Sequence, residues 1–229
     1  MSLLGEGAVV IWYDTVPGTE EDHDDWHSHE HMEERLGIPG FLRGRRWTAA
    51  SGTPRIFVMY EVSSFDVLSS PAYLERLNNP TSWTKKTMET VNNLTRSLCR
   101  VVDSQGFGTG GALLSIRFSP QPARADELRA WLKEEVITAL PKRKGLVAAH
   151  LLNAKKDTDA TETEEQKLRG GGDQEVDWVL LCDAYDVAAL EAITEKELAA
   201  AELEKHGAVT EQDTAIYHLA HTLTDADVS

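Results

Sequence analysis

Residues 40–62 read GFLRGRRWTAASGTPRIFVMYEV and contain two predicted β-strands joined by a short turn. β-Branched and aromatic residues favour strands over 41–49 and 55–62, and the Ser-Gly-Thr-Pro cluster at 51–54 is typical of a turn. Gly40 stands directly before the first of these strands, where a predicted helix has just ended. The stretch is therefore the centre of a βαββαβ unit.

The elements on either side of this stretch complete the unit. Pro17-Gly18 interrupts the chain after a first apolar run, and Thr19 followed by acidic residues indicates the start of a helix. The predicted strands of the unit are 7–14, 41–49, 55–62 and 96–102, and its predicted helices are 20–36, 71–78 and 81–93. This order is that of a ferredoxin-like module.

The rest of the chain repeats the same order, which predicts a duplication. The predicted strands of the second half are 112–118, 146–153, 176–184 and 214–223, and its predicted helices are 124–139 and 187–203. Gly145-Leu146-Val147 enters the second strand of this half as Gly40-Phe41-Leu42 enters that of the first, and Tyr185-Asp186-Val187 matches Phe65-Asp66-Val67. We expect two modules, 1–104 and 105–229, joined near 106–111.

Residues 155–175 form a polar, glycine-containing insertion between the second and third strands of the second half. Such a run buries too little apolar surface to order itself, so we expect a mobile acidic loop. A role for this loop as a lid over a pocket stays open at the level of sequence.

Composition limits the classes of function. The 229 residues carry a formal net charge of −15, which disfavours nucleic-acid binding. The N-terminal sequence lacks the pattern of a secretory signal and no run is long enough to cross a bilayer, so we expect a cytoplasmic protein without a membrane partner. Cys99 and Cys182 fall in predicted strands and are expected to be reduced. Association into a homodimer is left open.

The first predicted helix holds four of the eight histidines within residues 23–31. At 3.6 residues per turn its positions sort into two stripes. The more apolar stripe contains Trp26, His29, Met32 and Leu36, and the polar stripe contains His23, His27, Glu30, His31 and Glu34. The corresponding helix of the second half has a full apolar stripe. The first helix is therefore expected to cover a polar cavity rather than a dry core.

Three interpretations of the polar stripe remain open. An imidazole beside a carboxylate can exchange protons near neutral pH. His27 and His31 have metal-ligand spacing, with Glu30 or Glu34 as an oxygen donor, but no third histidine follows at a recognisable distance, so no metal site is predicted. The third interpretation is a solvated polar face with charge partners one turn apart.

Arg43 and Arg45 alternate with aromatic residues on one predicted strand face. Such a pair suits a carboxylate or enolate ligand, and pairing with surface acids is an equally good explanation. We therefore treat both arginines as candidate substrate-binding residues.

The pattern Trp-His-x-x-Glu-His-Met-x-Glu-Arg-Leu at 26–36, followed by IPGFLRG at 38–44, resembles the first helix and second strand of EthD-like proteins of the dimeric α+β-barrel superfamily. The resemblance implies that two ferredoxin-like sheets pair into a barrel, here within one chain. It also implies a pocket between helix and sheet, with His31 beside Glu30 and Trp26. Members include cofactor-free monooxygenases, muconolactone-type isomerases and haem-dependent enzymes.

The second half lacks the histidines of this pattern, so any site is expected mainly in the first half. The sequence shows no pattern that indicates an axial haem ligand, and no cofactor is predicted. The sequence hypothesis is a small-molecule enzyme in which His31 is the general acid/base, with His27 beside it, and Glu30 or Glu34 orients the imidazole. The alternative is a non-catalytic ligand-binding or assembly protein of the same fold.

Overall fold

The computed structural model describes residues 2–155, 162–168 and 176–228, and the strands in this part of the chain form a closed antiparallel barrel. The strands are β1 (Gly7–Thr15), β2 (Phe41–Ser51), β3 (Ile56–Val62), β4 (Val91–Gly106), β5 (Ala112–Pro120), β6 (Leu146–Ala154), β7 (Trp178–Ala184) and β8 (Ala208–Thr224). The helices are α1 (Glu20–Trp26), α2 (Met32–Leu36), α3 (Pro71–Asn78), α4 (Ser82–Met88), α5 (Ala125–Trp131), α6 (Glu164–Leu168), α7 (Val187–Thr194) and α8 (Ala200–Lys205). The predicted α+β fold with an intrachain barrel is confirmed.

Each half supplies a four-stranded sheet, in the orders β4-β1-β3-β2 and β8-β5-β7-β6. The barrel closes because β2 pairs with β8 and β4 pairs with β6, both antiparallel. The two bridging strands β4 and β8 are longer than predicted, since each spans its own sheet and the neighbouring one. The predicted boundary between residues 104 and 105 falls within the last residues of β4.

Three predicted elements differ from the observed ones. The predicted helix at 81–93 ends at Met88, because the polar residues after it belong to β4. The predicted helix at 187–203 is two helices, and the turn between them buries Leu198 in the core. Within the predicted loop 155–175, residues 164–168 are helical, while 156–161 and 169–175 lie outside the described residues. Thr163 and Gln166 exchange capping hydrogen bonds that start this helix.

Strand alternation separates three apolar layers. Inward-facing residues such as Trp12, Phe57 and Tyr217 fill the barrel. The outer face of the first-half sheet packs under the helix at 20–36, and the outer face of the second-half sheet packs under the helix at 125–137. Any pocket under the histidine-rich helix therefore lies on the outer side of the barrel wall.

A buried ionic cluster joins the two halves inside the barrel. The Arg45 guanidinium lies 3.0 Å from Glu61 Oε1 and 3.2 Å from Asp183 Oδ1. His150 Nε2 lies 3.2 Å from Asp183 Oδ2. Burial alone would raise the pKa of Asp183, but the hydrogen bond from His150 and the charge of Arg45 hold it below its ordinary value. Glu61 and Arg45 come from the first half, and His150 and Asp183 from the second.

Replacing Arg45 with Leu should lower the free energy of unfolding by about 3–5 kcal/mol, because buried Asp183 would lose its arginine and buried Glu61 would keep only Arg43. Urea denaturation followed by circular dichroism measures this loss. Lys86→Ala is the control, since the Lys86–Asp22 pair is more than two-thirds exposed at both side chains and should be worth less than about 1 kcal/mol. Equal losses in the two variants would contradict the assigned role of the buried cluster.

Candidate functional site

The histidine helix, which we define as residues 20–36, contains a π-helical turn at its centre. This turn runs from His27 to His31, and Met32 N–H donates to the carbonyl oxygen of His27, five residues earlier. The wider turn brings His23, His27 and His31 onto one buried face with Arg35. The predicted stripes assumed regular α-helical spacing and were wrong for His29, whose side chain is 70% exposed.

The second half contains the same helix with a different chemistry. Its π-helical turn, Leu132–Ile137, stands at the equivalent place, so the turn belongs to the repeat and not to the histidines. At a constant offset set by Gly40 and Gly145, the four polar residues His23, His27, His31 and Arg35 correspond to Leu128, Leu132, Val136 and Leu140. All eight side chains are buried. The first half has polar groups where the second has an ordinary apolar core.

A cavity of about 40 Å³, partly open to solvent, lies between the histidine helix and the outer face of the first-half sheet. Most of its wall is apolar. The polar side chains of the wall are Tyr13, His27, His31, Arg35, Tyr60, Tyr73, Arg96 and Glu165. Trp26, Phe41, Met88 and aliphatic residues of β1, β3 and β4 supply much of the rest. A cavity is therefore present beneath this helix, but its wall is mostly apolar, whereas a polar cavity was expected.

A chain of hydrogen bonds connects the pocket wall to the surface. The Tyr13 hydroxyl lies 2.8 Å from His23 Nε2, and His23 Nδ1 lies 3.0 Å from Asp24 Oδ1. A carboxylate accepts only, so His23 Nδ1 carries the hydrogen and Tyr13 donates to Nε2. Burial lowers the pKa of His23 and raises that of Tyr13, so both groups are neutral at pH 7. Asp24 is half-exposed. In the second half, Phe118 and Leu128 occupy the positions of Tyr13 and His23.

His27 is a strongly perturbed histidine of the pocket wall. Burial, with smaller contributions from Arg46 and neighbouring histidines, lowers its pKa well below the ordinary value. The imidazole is therefore neutral at pH 7. Its Nε2 lies 3.2 Å from the Tyr60 hydroxyl, and its buried Nδ1 has no hydrogen-bond partner among the described residues. A neutral imidazole with one nitrogen held and the other available can accept or donate a proton.

His31 and Trp26 lie in the pocket wall. The His31 ring packs on Trp26, with 4.3 Å between ring centroids, and lies 5.7 Å from the His27 ring. Trp26 is fixed in turn by a 3.2 Å hydrogen bond from its indole nitrogen to Thr84. The two imidazoles therefore stand side by side in a rigid aromatic setting.

The carboxylates predicted to orient His31 have other partners. Glu30 accepts a 2.7 Å hydrogen bond from the Thr81 hydroxyl at the start of α4. Glu34 pairs with Arg76 at 2.9 Å, and burial raises its pKa. Neither residue is in the pocket wall. The side chain that holds an imidazole of the pocket is instead Tyr60, whose hydroxyl is hydrogen-bonded to His27 Nε2.

Arg43 and Arg45, which were predicted to bind an anion, do not lie in the pocket wall either. Arg43 makes two hydrogen bonds to Glu61, at 2.8 and 2.9 Å, and Arg45 belongs to the ionic cluster inside the barrel. The cations of the pocket are instead Arg35 and Arg96. Arg35 forms a buried ion pair with Glu165 of the insertion, and Arg96 donates to the Tyr73 hydroxyl at 2.7 Å.

No group of three or more His, Cys, Asp or Glu side chains among the described residues is arranged to hold a metal ion. In the same part of the chain, no helix is long and apolar enough to cross a membrane.

No protein-family model and no curated protein sequence matches the chain. Solved structures do resemble it in fold. An anthrone oxidase-like protein superposes with a TM-score of 0.65 at 11% identity, covering 98% of this chain and 95% of its own. A candidate monooxygenase from Fusobacterium nucleatum has a TM-score of 0.63 at 8% identity, covering 97% and 96%. A candidate chlorite dismutase has a TM-score of 0.52 at 13% identity, covering 98% of each chain.

These likenesses establish the α+β-barrel fold over nearly the whole chain. At identities of 8–13% they establish the fold alone. The chemistry of the pocket has to be argued from its own residues.

Replacing Tyr13 with Phe or His23 with Leu should each cost about 1–3 kcal/mol, because each leaves one buried polar group without its partner. The double variant restores the apolar pair found in the second half. It should be more stable than the sum of the single losses by about 1 kcal/mol or more, measured by urea denaturation. Tyr13→Phe combined with His206→Leu, in the other half, should be additive to within about 0.5 kcal/mol. Additivity in both cycles would show that the buried pair is not coupled.

The depressed pKa of His27 predicts a stability that falls in acid. Below the ordinary histidine pKa of about 6.5 the unfolded chain takes up a proton that the folded chain does not, so the free energy of unfolding decreases as pH falls through 6.5. His27→Leu should flatten this dependence by up to about 1.4 kcal/mol per pH unit. Thermal unfolding between pH 5 and 8 measures it. His29→Asn, at an exposed position of the same helix, should keep the wild-type slope. An unchanged slope in His27→Leu would show that His27 titrates normally.

Proposed function

We propose that the protein is a small-molecule enzyme that uses the imidazoles of His27 and His31 as acid–base groups in a largely apolar pocket. One observation carries the proposal. Buried positions that hold Leu and Val in the second half hold three histidines and an arginine in the first. Burial of polar groups costs stability unless every group is hydrogen-bonded, and apolar residues fill the equivalent positions of the second-half helix. A specialised chemical role explains why the polar set is kept.

The geometry suits proton transfer to and from an acidic C–H or O–H group. Neutral His27 is the general base: its Nε2–H donates to the Tyr60 oxygen, which leaves Nδ1 unprotonated and able to take the proton. His31, on the neighbouring turn and packed on Trp26, is the second acid/base group. This assignment keeps both histidines of the sequence hypothesis. It replaces Glu30 and Glu34 as orienting groups with Tyr60, because the two carboxylates are engaged outside the wall.

Tyr13, His23 and Asp24 supply a route for the proton to leave the pocket. Tyr13 lies in the wall and donates to His23, and half-exposed Asp24 holds the far nitrogen of that imidazole. A proton accepted by the Tyr13 oxygen can move to His23 as the hydroxyl hydrogen shifts, and Asp24 stabilises the imidazolium formed. The arrangement follows the logic of an orienting carboxylate behind a histidine.

The comparisons and the resemblance agree with a small-molecule role. Neighbours in fold are described as anthrone oxidase-like and as a candidate monooxygenase. The EthD-like pattern at 26–44 supports the same placement of a pocket under the first helix. Isomerisation and cofactor-free oxygenation begin with proton removal from a weak acid, and decarboxylation ends with protonation of a carbanion. The proposed residues supply these proton transfers. The alternative is a ligand-binding protein of this fold that performs no reaction.

Anthrone is a suitable probe, because it is a flat aromatic ketone whose methylene hydrogens are acidic. The protein should accelerate the exchange of these hydrogens in heavy water under nitrogen, followed by proton NMR. His27→Asn should slow the protein-dependent rate by about 10²-fold or more, and His31→Asn should slow it substantially. His29→Asn should have no effect, since its side chain is exposed.

If wild-type protein binds anthrone without exchanging its hydrogens, the ligand-binding alternative is favoured. If exchange is fast in both His27→Asn and His31→Asn, these two residues are not the acid–base groups.

A further inference from the structure

The cavity beneath the histidine helix is much smaller than an organic substrate. Its volume of about 40 Å³ has room for a few water molecules. Sites for small organic ligands enclose roughly 300 Å³ or more. A substrate of the proposed reaction therefore enters only after part of the cavity wall has moved, and the part that moves has to be held by few contacts.

Most elements of the wall are fixed by packing. The wall residues of β1, β2, β3 and α3 belong to one buried apolar cluster, and they include Val9, Phe41, Val58, Tyr60 and Leu77. The three strands are also paired within the closed barrel. Helix α4 is tied to the histidine helix by hydrogen bonds to the Trp26 indole and to Glu30. None of these elements can move without loss of core packing or of these hydrogen bonds.

Helix α6 is attached differently. No described residue of α6 belongs to an apolar cluster of the core, and Leu168 at its end is exposed. The described polar contacts that hold α6 to the first half are the ion pair of Glu165 with Arg35 and a 3.2 Å hydrogen bond from Glu164 N–H to Asn78 Oδ1. Elements with few buried apolar contacts open at a low cost in free energy.

Glu165 is the residue of α6 that closes the cavity. Its side chain is buried and lies in the wall, whereas the other described residues of α6 lie outside the wall. Movement of α6 away from Arg35 therefore removes one side of the wall and leaves the barrel sheet in place. Both charges regain water as the pair separates, which offsets part of the lost attraction.

We propose that α6 is a gate over the cavity, closed by the ion pair between Glu165 and Arg35 and opened when α6 moves away from the histidine helix. The gate rests on the proposed function, which requires a substrate to enter. Lids that close over a site exclude water from the reacting groups. The insertion of the second half thus controls access to the site of the first half.

The test measures how fast a thiol in the cavity wall becomes accessible. Val58→Cys places this thiol on β3, where the native side chain is 1% exposed. Two native thiols are internal controls, since Cys182 is buried beneath the second-half helix and Cys99 is buried inside the barrel. Burial raises the pKa of both native thiols, and a thiol reacts as its thiolate. Labelling by iodoacetamide is followed at each position by peptide mass spectrometry.

The introduced thiol should react about tenfold or more faster than Cys182, because local opening costs less than global unfolding. Glu165→Gln should raise the rate of the introduced thiol about fivefold or more and leave Cys182 and Cys99 unchanged, since it removes the ion pair of the gate. Glu164→Gln is the matched control. It removes a neighbouring charge whose ion pair with Lys167 is exposed, so the rate should stay within about twofold.

A reversible lock gives a second measurement. A disulfide in the double variant Asn78→Cys and Glu164→Cys joins α6 to α3 at positions that are already in hydrogen-bond contact. Its oxidation should slow labelling of the introduced thiol to the rate of Cys182, and reduction by a phosphine should restore the faster rate. Val9→Cys, on β1 in the same wall, is the reporter if Val58→Cys folds poorly.

An introduced thiol that reacts no faster than Cys182, a rate that Glu165→Gln leaves unchanged, or a rate that the closed disulfide leaves unchanged would each overturn the gate. The measurement involves neither turnover nor a ligand, so its failure is distinct from that of the acid–base proposal. Gated labelling without exchange of anthrone hydrogens would reject the acid–base chemistry alone. Exchange at the full rate in the locked protein would reject the gate alone.

Discussion

Closure of the barrel by the strand pairs β2–β8 and β4–β6 is the constraint on which the rest of the structure depends. Each half alone is a four-stranded sheet with two unpaired edges, and closure gives every edge a partner. It also turns one face of both sheets inwards to a shared core. The helices are thereby confined to the outer faces. The pocket consequently lies between the histidine helix and the outer face of the first-half sheet. That sheet is part of a barrel which both halves close.

The helices that cover the two sheets share their backbone geometry and differ in their buried side chains. Both helices have a π-helical turn at the equivalent place, so this local backbone geometry does not depend on the histidines. In the second half it presents Leu128 and Leu132 to a dry core. In the first it presents His23 and His27, whose ring nitrogens meet Tyr13 and Tyr60. The polar groups are tolerated because the tyrosines of β1 and β3 hydrogen-bond to the histidines of the helix.

The fold could be predicted from the sequence because strand alternation, turn residues and the repeated Gly-hydrophobic entries are local signals. The long strands β4 and β8 were under-predicted, since their ends are polar and are held by pairing with the other half. Arg35 was missed because it reads as the cation that closes a helix, and only the π-helical turn brings it onto the buried face. Glu165 was missed because charge pairing across the fold orders it, although Thr163 and Gln166 do carry a capping signal. Arg43 and Arg45 were recognised as special, but their partners Glu61 and Asp183 come from distant parts of the chain.

The ion pair between Arg35 and Glu165 joins positions 130 residues apart. During synthesis the histidine helix leaves the ribosome early, whereas Glu165, which pairs with Arg35, is made only about halfway through the second half. Contacts of such sequence separation form late, because the loop between them must close first. The pocket is therefore finished only once the barrel has closed. Until then, Arg35 and the imidazoles of the first half lie on an incomplete surface, so the complete site requires residues of both halves.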